Sequence, residues 1–320
     1  MSGALQRGSG VRSFPLLFAT VPSPPSHSKP MPPQLIALST AFFYASALLS
    51  ARRGLKYSSP VTVTCVSVIV QAITLWAAVL LTGGIPRVSA LAVLLFVIAG
   101  VTQLGVRLFA YTGVAKIGAS RSSALQALSP FISAVIAIAV LQEKANAPIV
   151  GGTLFVVLGI ILVSWKPEEQ ISTFRWWHLL LPVAAAFLTG INHPIRRYAL
   201  SLSNEPLFFA ALMGSASLVS FLGYLILAQG ARRLVWHRRS FWPFIVTGLC
   251  ETMSILGIIT ALSVGSVVVV APIAGTYPVW ALLGTVIFLR EHERINTRTI
   301  LGSLSVVAGT LAIHLGSSWK

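Results

Sequence analysis

Residues 100–143, GVTQLGVRLFAYTGVAKIGASRSSALQALSPFISAVIAIAVLQE, lie over residues 248–291, GLCETMSILGIITALSVGSVVVVAPIAGTYPVWALLGTVIFLRE, without a gap. In that register Gly100, Gln103, Pro130 and Glu143 stand opposite Gly248, Glu251, Pro278 and Glu291. Two apolar stretches that keep glycine, a polar side chain, proline and glutamate in step are one helical unit used twice. The match extends in both directions. Ala41 to Leu55, with Arg52 and Arg53 near its end, aligns with Ala185 to Ala199 and its Arg196 and Arg197. Gly152 and Gly159 match Gly302 and Gly309, and their spacing puts two small residues on one helix face, where a neighbouring backbone can approach closely.

Hydrophobic residues make up 55% of the 320, mean hydropathy is +0.84, and charged residues are 9%, where soluble domains carry roughly a quarter. So much apolar surface requires lipid as the solvent. The net charge of +16 comes from 23 Lys and Arg against seven Glu and no Asp. On a soluble chain that excess would suggest nucleic acid; here the basic residues punctuate apolar runs, as membrane flanks do, and no nucleic-acid partner is expected. Cys65 and Cys250 both fall inside apolar runs without metal-ligand spacing. No phosphate loop, HExxH or GxSxG motif occurs, and the six His are scattered, which argues against ATP-driven pumping and against an intramembrane enzyme. No cofactor and no metal are expected.

A hydrocarbon core of about 30 Å requires roughly 20 apolar residues per helix. That length predicts ten spans, near residues 34–51, 60–82, 89–111, 119–141, 147–165, 177–195, 205–228, 241–262, 265–290 and 298–316. Lipid satisfies no backbone hydrogen bond and period-two alternation is missing, so these spans are helices rather than barrel strands. The expected fold class is an all-α membrane protein of ten transmembrane helices in two inverted five-helix repeats, because an odd number of spans per unit makes the second copy enter from the opposite side. Residues 1–33 are expected to be a disordered extension, with Met31 as an alternative start. Repeat 1 is then 34–165, a linker covers 166–176, and repeat 2 is 177–316. Of the 23 Lys and Arg, fifteen lie in or beside the odd-numbered loops, which by the positive-inside rule puts both termini outside. Trp165, Trp176, Trp177 and Trp242 fall at predicted span ends, as an aromatic belt requires. Arg232, Arg233, Arg238 and Arg239 around His237 read either as a topology determinant or as a contact for anionic headgroups.

Each unit thus has a helix with a central proline that ends in Glu, followed by a Gly-bearing helix, as in Leu128 to Gly159 and Tyr277 to Gly309. This pattern resembles the EamA family of the drug/metabolite transporter superfamily over about residues 34–316. The resemblance implies a carrier or exporter of small organic metabolites, with a central cavity lined by spans 1, 3, 4, 6, 8 and 9 and with spans 5 and 10 as scaffold. It also implies cytoplasmic termini, against the charge tally. The second half departs from the first by putting Glu251 where Gln103 stands.

Glu251 lies near the middle of the eighth span, where a charge costs about 2.5–3.5 kcal/mol on insertion scales. It should face protein or water, as the candidate coupling acid or as a hydrogen-bonded structural group. Gln103 and Arg107 share one face of the third span; Arg107 either pairs with Glu251 or snorkels to the headgroups. Pro130 and Pro278 each remove an amide donor, freeing the carbonyls of Gln126 and Ala274, and serve as hinges or as static kinks. Gln126, Thr276 and Tyr277 are candidate polar lining, with Trp280 as an aromatic wall. His193, before Pro194 and near Arg196, reads as interfacial in preference to a proton relay, and Glu143 and Glu291 read as helix ends at the surface.

Together these readings predict a secondary transporter, an exporter or exchanger of a small organic metabolite such as an amino-acid-like compound or an amphipathic drug. Two inverted repeats alternate access to a midplane site, and Glu251 is the candidate for proton coupling. The alternative is a non-transporting scaffold or lipid-binding protein of the same fold. The expected partners are the small-molecule substrate, protons and the bilayer, the oligomeric state is monomer or dimer, and the expected location is a cell membrane, the bacterial inner membrane.

Overall fold

In a computed structural model the described residues are 31–117, 119–164, 175–227, 230–284 and 297–318. They contain twelve α-helices, α1 (Pro33–Leu55), α2 (Pro60–Thr82), α3 (Ala90–Ile117), α4 (Ala119–Gln126), α5 (Ser129–Leu141), α6 (Ala147–Ser164), α7 (Leu180–Leu202), α8 (Pro206–Leu227), α9 (Arg238–Val264), α10 (Val267–Ala274), α11 (Tyr277–Gly284) and α12 (Thr297–Ser318). Nine segments among the described residues are long and apolar enough to cross a bilayer, and Ala147–Val163 is a shorter tenth. The chain is therefore a multi-pass, all-helical membrane protein. The expected extension over residues 1–30, Trp165, most of the linker and Glu291 lie outside the described residues.

Local chemistry sets the helix boundaries. α2 starts where Ser59 accepts from the Thr62 amide and Pro60 takes the first helical position, and it stops at Gly83, whose φ of 140° suits glycine. The fourth and ninth spans are each two helices. Pro130 cannot donate to the Gln126 carbonyl nor Pro278 to that of Ala274, and the chain breaks two residues ahead of each proline, between α4 and α5 and between α10 and α11. The breaks face each other: a Cβ on Gly275 would stand 2.8 Å from Pro130 Cγ. Glycine at 275 lets one broken helix rest on the other.

The inversion is visible at the scaffold helices. A Cβ on Gly152 would meet the Gly309 carbonyl oxygen at 2.6 Å, and a Cβ on Gly159 the Gly302 carbonyl oxygen at 2.6 Å. As the number rises along α6 it falls along α12, so equivalent helices of the two repeats pack antiparallel, backbone to backbone. Exchanging each glycine for its repeat equivalent turns the contact of Gly152 with Gly309 into that of Gly302 with Gly159, which is the signature of a two-fold axis through the contact. The same symmetry pairs α1 with α9 and α7 with α3. Ser50 donates to the Pro243 carbonyl and Ser240 to that of Gly54, while Thr102 donates to Asn192 Oδ1.

Several ends differ from the expected spans. The third helix continues to Ile117, the sixth span's helix to Leu202, and the eighth starts at Arg238. Arg196, which a hydropathy window takes for a flank, continues its helix where α3 covers it, whereas Lys116, Arg238 and Arg239 extend theirs as exposed helix ends. Because the α6–α12 contact leaves no room for a side chain, Gly159→Leu is expected to destabilise by about 1–3 kcal/mol, the usual cost of overpacking. Gly302→Leu at the same crossing should cost a similar amount, and the double variant less than the sum. Thermal unfolding in detergent measures all three.

Candidate functional site

α3 carries Gln103, Arg107 and Tyr111 at four-residue spacing, so the three form one stripe on its face. Arg107 Nη2 stands 3.2 Å from Glu251 Oε2 on α9, and the two side chains are 3% and 4% exposed. The Tyr111 hydroxyl donates to Glu251 Oε1 at 2.6 Å, and Arg107 also donates to Gln71 Oε1 on α2. Of the two readings open to Arg107, the structure shows pairing. Glu251 faces protein on every side, and Tyr44 of α1 lies within its electrostatic reach. Arg107 Nε and Nη1 have no hydrogen-bond partner, so the guanidinium is held chiefly by charge.

One turn along α3 and α9 from this pair is a cavity of about 110 Å³ where the two breaks meet. Its wall is contributed by α1, α3, α4, α5, α7, α9, α10 and α11, the six spans that the resemblance implies, while α6 and α12 pack outside it. Its polar lining includes Tyr44, Gln103, Gln126, His193, Arg196 and Tyr277, and Pro130 adds the broken turn. Tyr44 and Tyr277 pack edge to face, ring centroids 4.7 Å apart, and bridge the first helix to the second break. Gln126 donates to the Ser122 hydroxyl at 3.1 Å.

Three sequence-predicted residues have other surroundings. Thr276 is buried in the break, its hydroxyl donating to the Ile273 carbonyl at 2.7 Å, because the turn folds its side chain back on the preceding helix. Trp280 packs edge-on against Phe42, centroids 5.8 Å apart, and the cavity wall does not include it. Pro278 is buried beside the break. Glu143 does stand at a helix end, where Gln142 takes a left-handed φ of 54°. Its carboxylate, however, is used: Oε1 and Oε2 accept from the amides of Val267 and Val268 at 3.0 Å each, capping α10 of the other repeat.

The largest correction concerns α7. His193 and Arg196, read from sequence as interfacial and flanking, are 9% and 4% exposed and line the cavity. The helix runs beyond them to Leu202, which places them within the bundle. Arg196 Nη2 donates to Gln103 Oε1 at 2.7 Å, whereas its Nε and His193 Nδ1 have no partner. Arg197, on another face, donates to the carbonyls of Leu262 and Ser263 at the end of α9. Sequence reasoning missed Tyr44 and Arg196 and put His193 at the interface; on α7 the signal was the spacing of Thr189, His193 and Arg196, one helical stripe of polar side chains.

The sequence profile of the EamA-like transporter family matches residues 31–165 and again 175–315. The chain belongs to that family. The two matches fall on the two repeats, so this EamA chain is built of two copies of the family unit. It is also 26% identical over 212 residues to a protein of Arabidopsis thaliana described as probable magnesium transporter NIPA7, an alignment spanning 59% of this chain and 64% of that relative. A crystal structure of a protein, 13% identical, superposes with a TM-score of 0.70 over 88% of this chain and 96% of its own, which shows a shared fold.

The Arg107–Glu251 pair yields a test of its own. Removing one partner of a buried ion pair strands the other, typically at about 3–5 kcal/mol. Arg107→Gln alone should therefore destabilise this EamA protein by about that much, and Arg107→Gln with Glu251→Gln should recover part of the loss. A double-mutant cycle on the unfolding midpoint in detergent measures the coupling.

Proposed function

We propose that this EamA protein is a secondary transporter, an exporter or exchanger of a small organic metabolite, in which the two inverted repeats rock about the cavity and open it to either side in turn. The observation that carries this reading is the cavity itself, set where two proline-broken helices of opposite repeats touch. Backbone breaks at membrane depth persist where they are buried in protein or line a water-filled space, and a broken helix facing its inverted counterpart can bend symmetrically. Pro130 and Pro278 act as the hinges. The protein works in a cell membrane, on the sequence reading the bacterial inner membrane, as a monomer or a dimer.

Glu251 is the coupling acid in this scheme. Its charge is held by Arg107 and Tyr111 of α3, with Tyr44 of α1 nearby and Cys250 beside it on α9. A proton on Glu251 would cancel its attraction for Arg107 and loosen α3 from α9, the motion that rocking requires. Magnesium, which the Arabidopsis relative's description names, fits this cavity poorly: hard divalent cations take oxygen ligands, chiefly carboxylates and water, and the wall here presents a guanidinium and an imidazole instead.

Purified protein in liposomes should move solute down an imposed gradient, with a rate that depends on the pH difference across the membrane. Glu251→Gln should still move solute but lose that pH dependence. PH-dependent flux retained by the variant removes Glu251 from coupling; a scaffold or lipid-binding protein would show no flux with any solute.

A further inference from the structure

The charges in and beside the cavity do not balance. Two guanidiniums, those of Arg107 and Arg196, are buried at the centre of the bundle, at 3% and 4% exposure. Among the described residues one carboxylate serves them, and it is taken: Glu251 is 3.2 Å from Arg107 and accepts from Tyr111. Arg196 receives only the neutral amide oxygen of Gln103. The repeat shows how this arises, since Gln103 occupies the position that Glu251 fills in the other copy. With an amide in place of the acid, the cavity side of the pair keeps a net positive charge.

An unpaired buried cation is costly unless something neutralises it. Among the described residues the cavity wall contains no carboxylate. It does contain two buried nitrogens without partners, Arg196 Nε and His193 Nδ1, three residues apart on one face of α7. The rest of the wall carries no charge: neutral polar groups such as Thr40, Gln126, Ser133 and Ser254 alternate with Val106, Ile255, Ile258 and Ala271 and with the rings of Tyr44 and Tyr277. A volume of about 110 Å³ is well below the roughly 300–1,000 Å³ that holds drug-sized ligands.

We infer that the solute of this cavity is a small organic anion, a carboxylate with a compact apolar body, whose charge is met by Arg196 and His193 while its body lies between the two tyrosines and the aliphatic wall. The inference rests on the transport reading for the site's use, but not for its chemistry. Gln103 then serves as a positioning residue that holds the guanidinium in place.

The test compares shapes that differ only in charge. Isobutyrate, isovalerate and benzoate are set against isobutyramide, isovaleramide and benzamide, with magnesium chloride as a third arm, by thermal shift and titration calorimetry on the full chain in detergent. The carboxylates should bind at least tenfold more tightly than their amides. Arg196→Gln should lose that preference, and Arg196→Lys, which keeps a charge, should retain part of it. Should Arg196→Gln fail to fold, His193→Gln and the wild-type comparison decide: a carboxylate preference weakened in the variant supports the inference. Amides binding as well as carboxylates, no panel member binding, magnesium binding in their place, or Arg196→Gln binding carboxylates like the wild type would each overturn it. Benzoate counterflow in liposomes separates the two proposals. Carboxylate binding without counterflow leaves the anion site standing and removes transport, whereas flux of other solutes without carboxylate binding does the reverse.

Discussion

Hydrocarbon offers the backbone nothing to bond with, and the rest of this structure follows from where the chain interrupts its helices in spite of that. It does so at Pro130 and Pro278, and each interruption is set against the other, with Gly275 pressed on the Pro130 ring. Bringing the breaks together places the ends of four short helices around one small space. α1 and α9, and by symmetry α7 and α3, close that space from the sides. The hydroxyl-to-carbonyl bonds that join these helices, such as Ser50 to Pro243 and Ser240 to Gly54, satisfy polar groups between helices without introducing charge.

Charge is confined to a few positions and used sparingly. Arg107, Glu251, Tyr111 and Gln71 form one buried cluster that ties α2, α3 and α9 together. Arg197 spends its guanidinium on carbonyls at the end of α9, where the helix dipole is negative. Glu143 does the converse, giving its carboxylate to the positive start of α10. Among the described residues Arg196 has neither an acid nor a helix end, and it is the charged group that borders the cavity.

The architecture was legible in the sequence because a gapless repeat, two in-register prolines and paired glycines are each tied to a backbone requirement. The inversion followed from counting spans, and it reappears as the crossed contacts of Gly152 with Gly309 and Gly159 with Gly302. The site was legible only in part. Gln103, Gln126 and Tyr277 reach the cavity, while Thr276 and Trp280 do not, because the break between α10 and α11 rotates the face on which later residues lie. Arg196 was misread for a different reason: two adjacent arginines near the end of an apolar run look like a membrane flank whenever the helix is taken to stop there. Hydropathy registers the polarity of the second turn from the end and has no means of knowing that α3 covers it.

The glycine seam between α6 and α12 has one more implication. A surface that fits its own inverted image is what a single five-helix chain needs in order to bind a second copy of itself inserted the other way round. Joining two such chains end to end removes any dependence on meeting, and it releases each half from having to serve in both orientations. The halves can then diverge at the centre while the seam stays fixed, so that an amide survives at residue 103 and an acid at residue 251. Descent from an ancestor that inserted both ways would leave this mark: symmetry kept where backbones touch and lost beside the cavity.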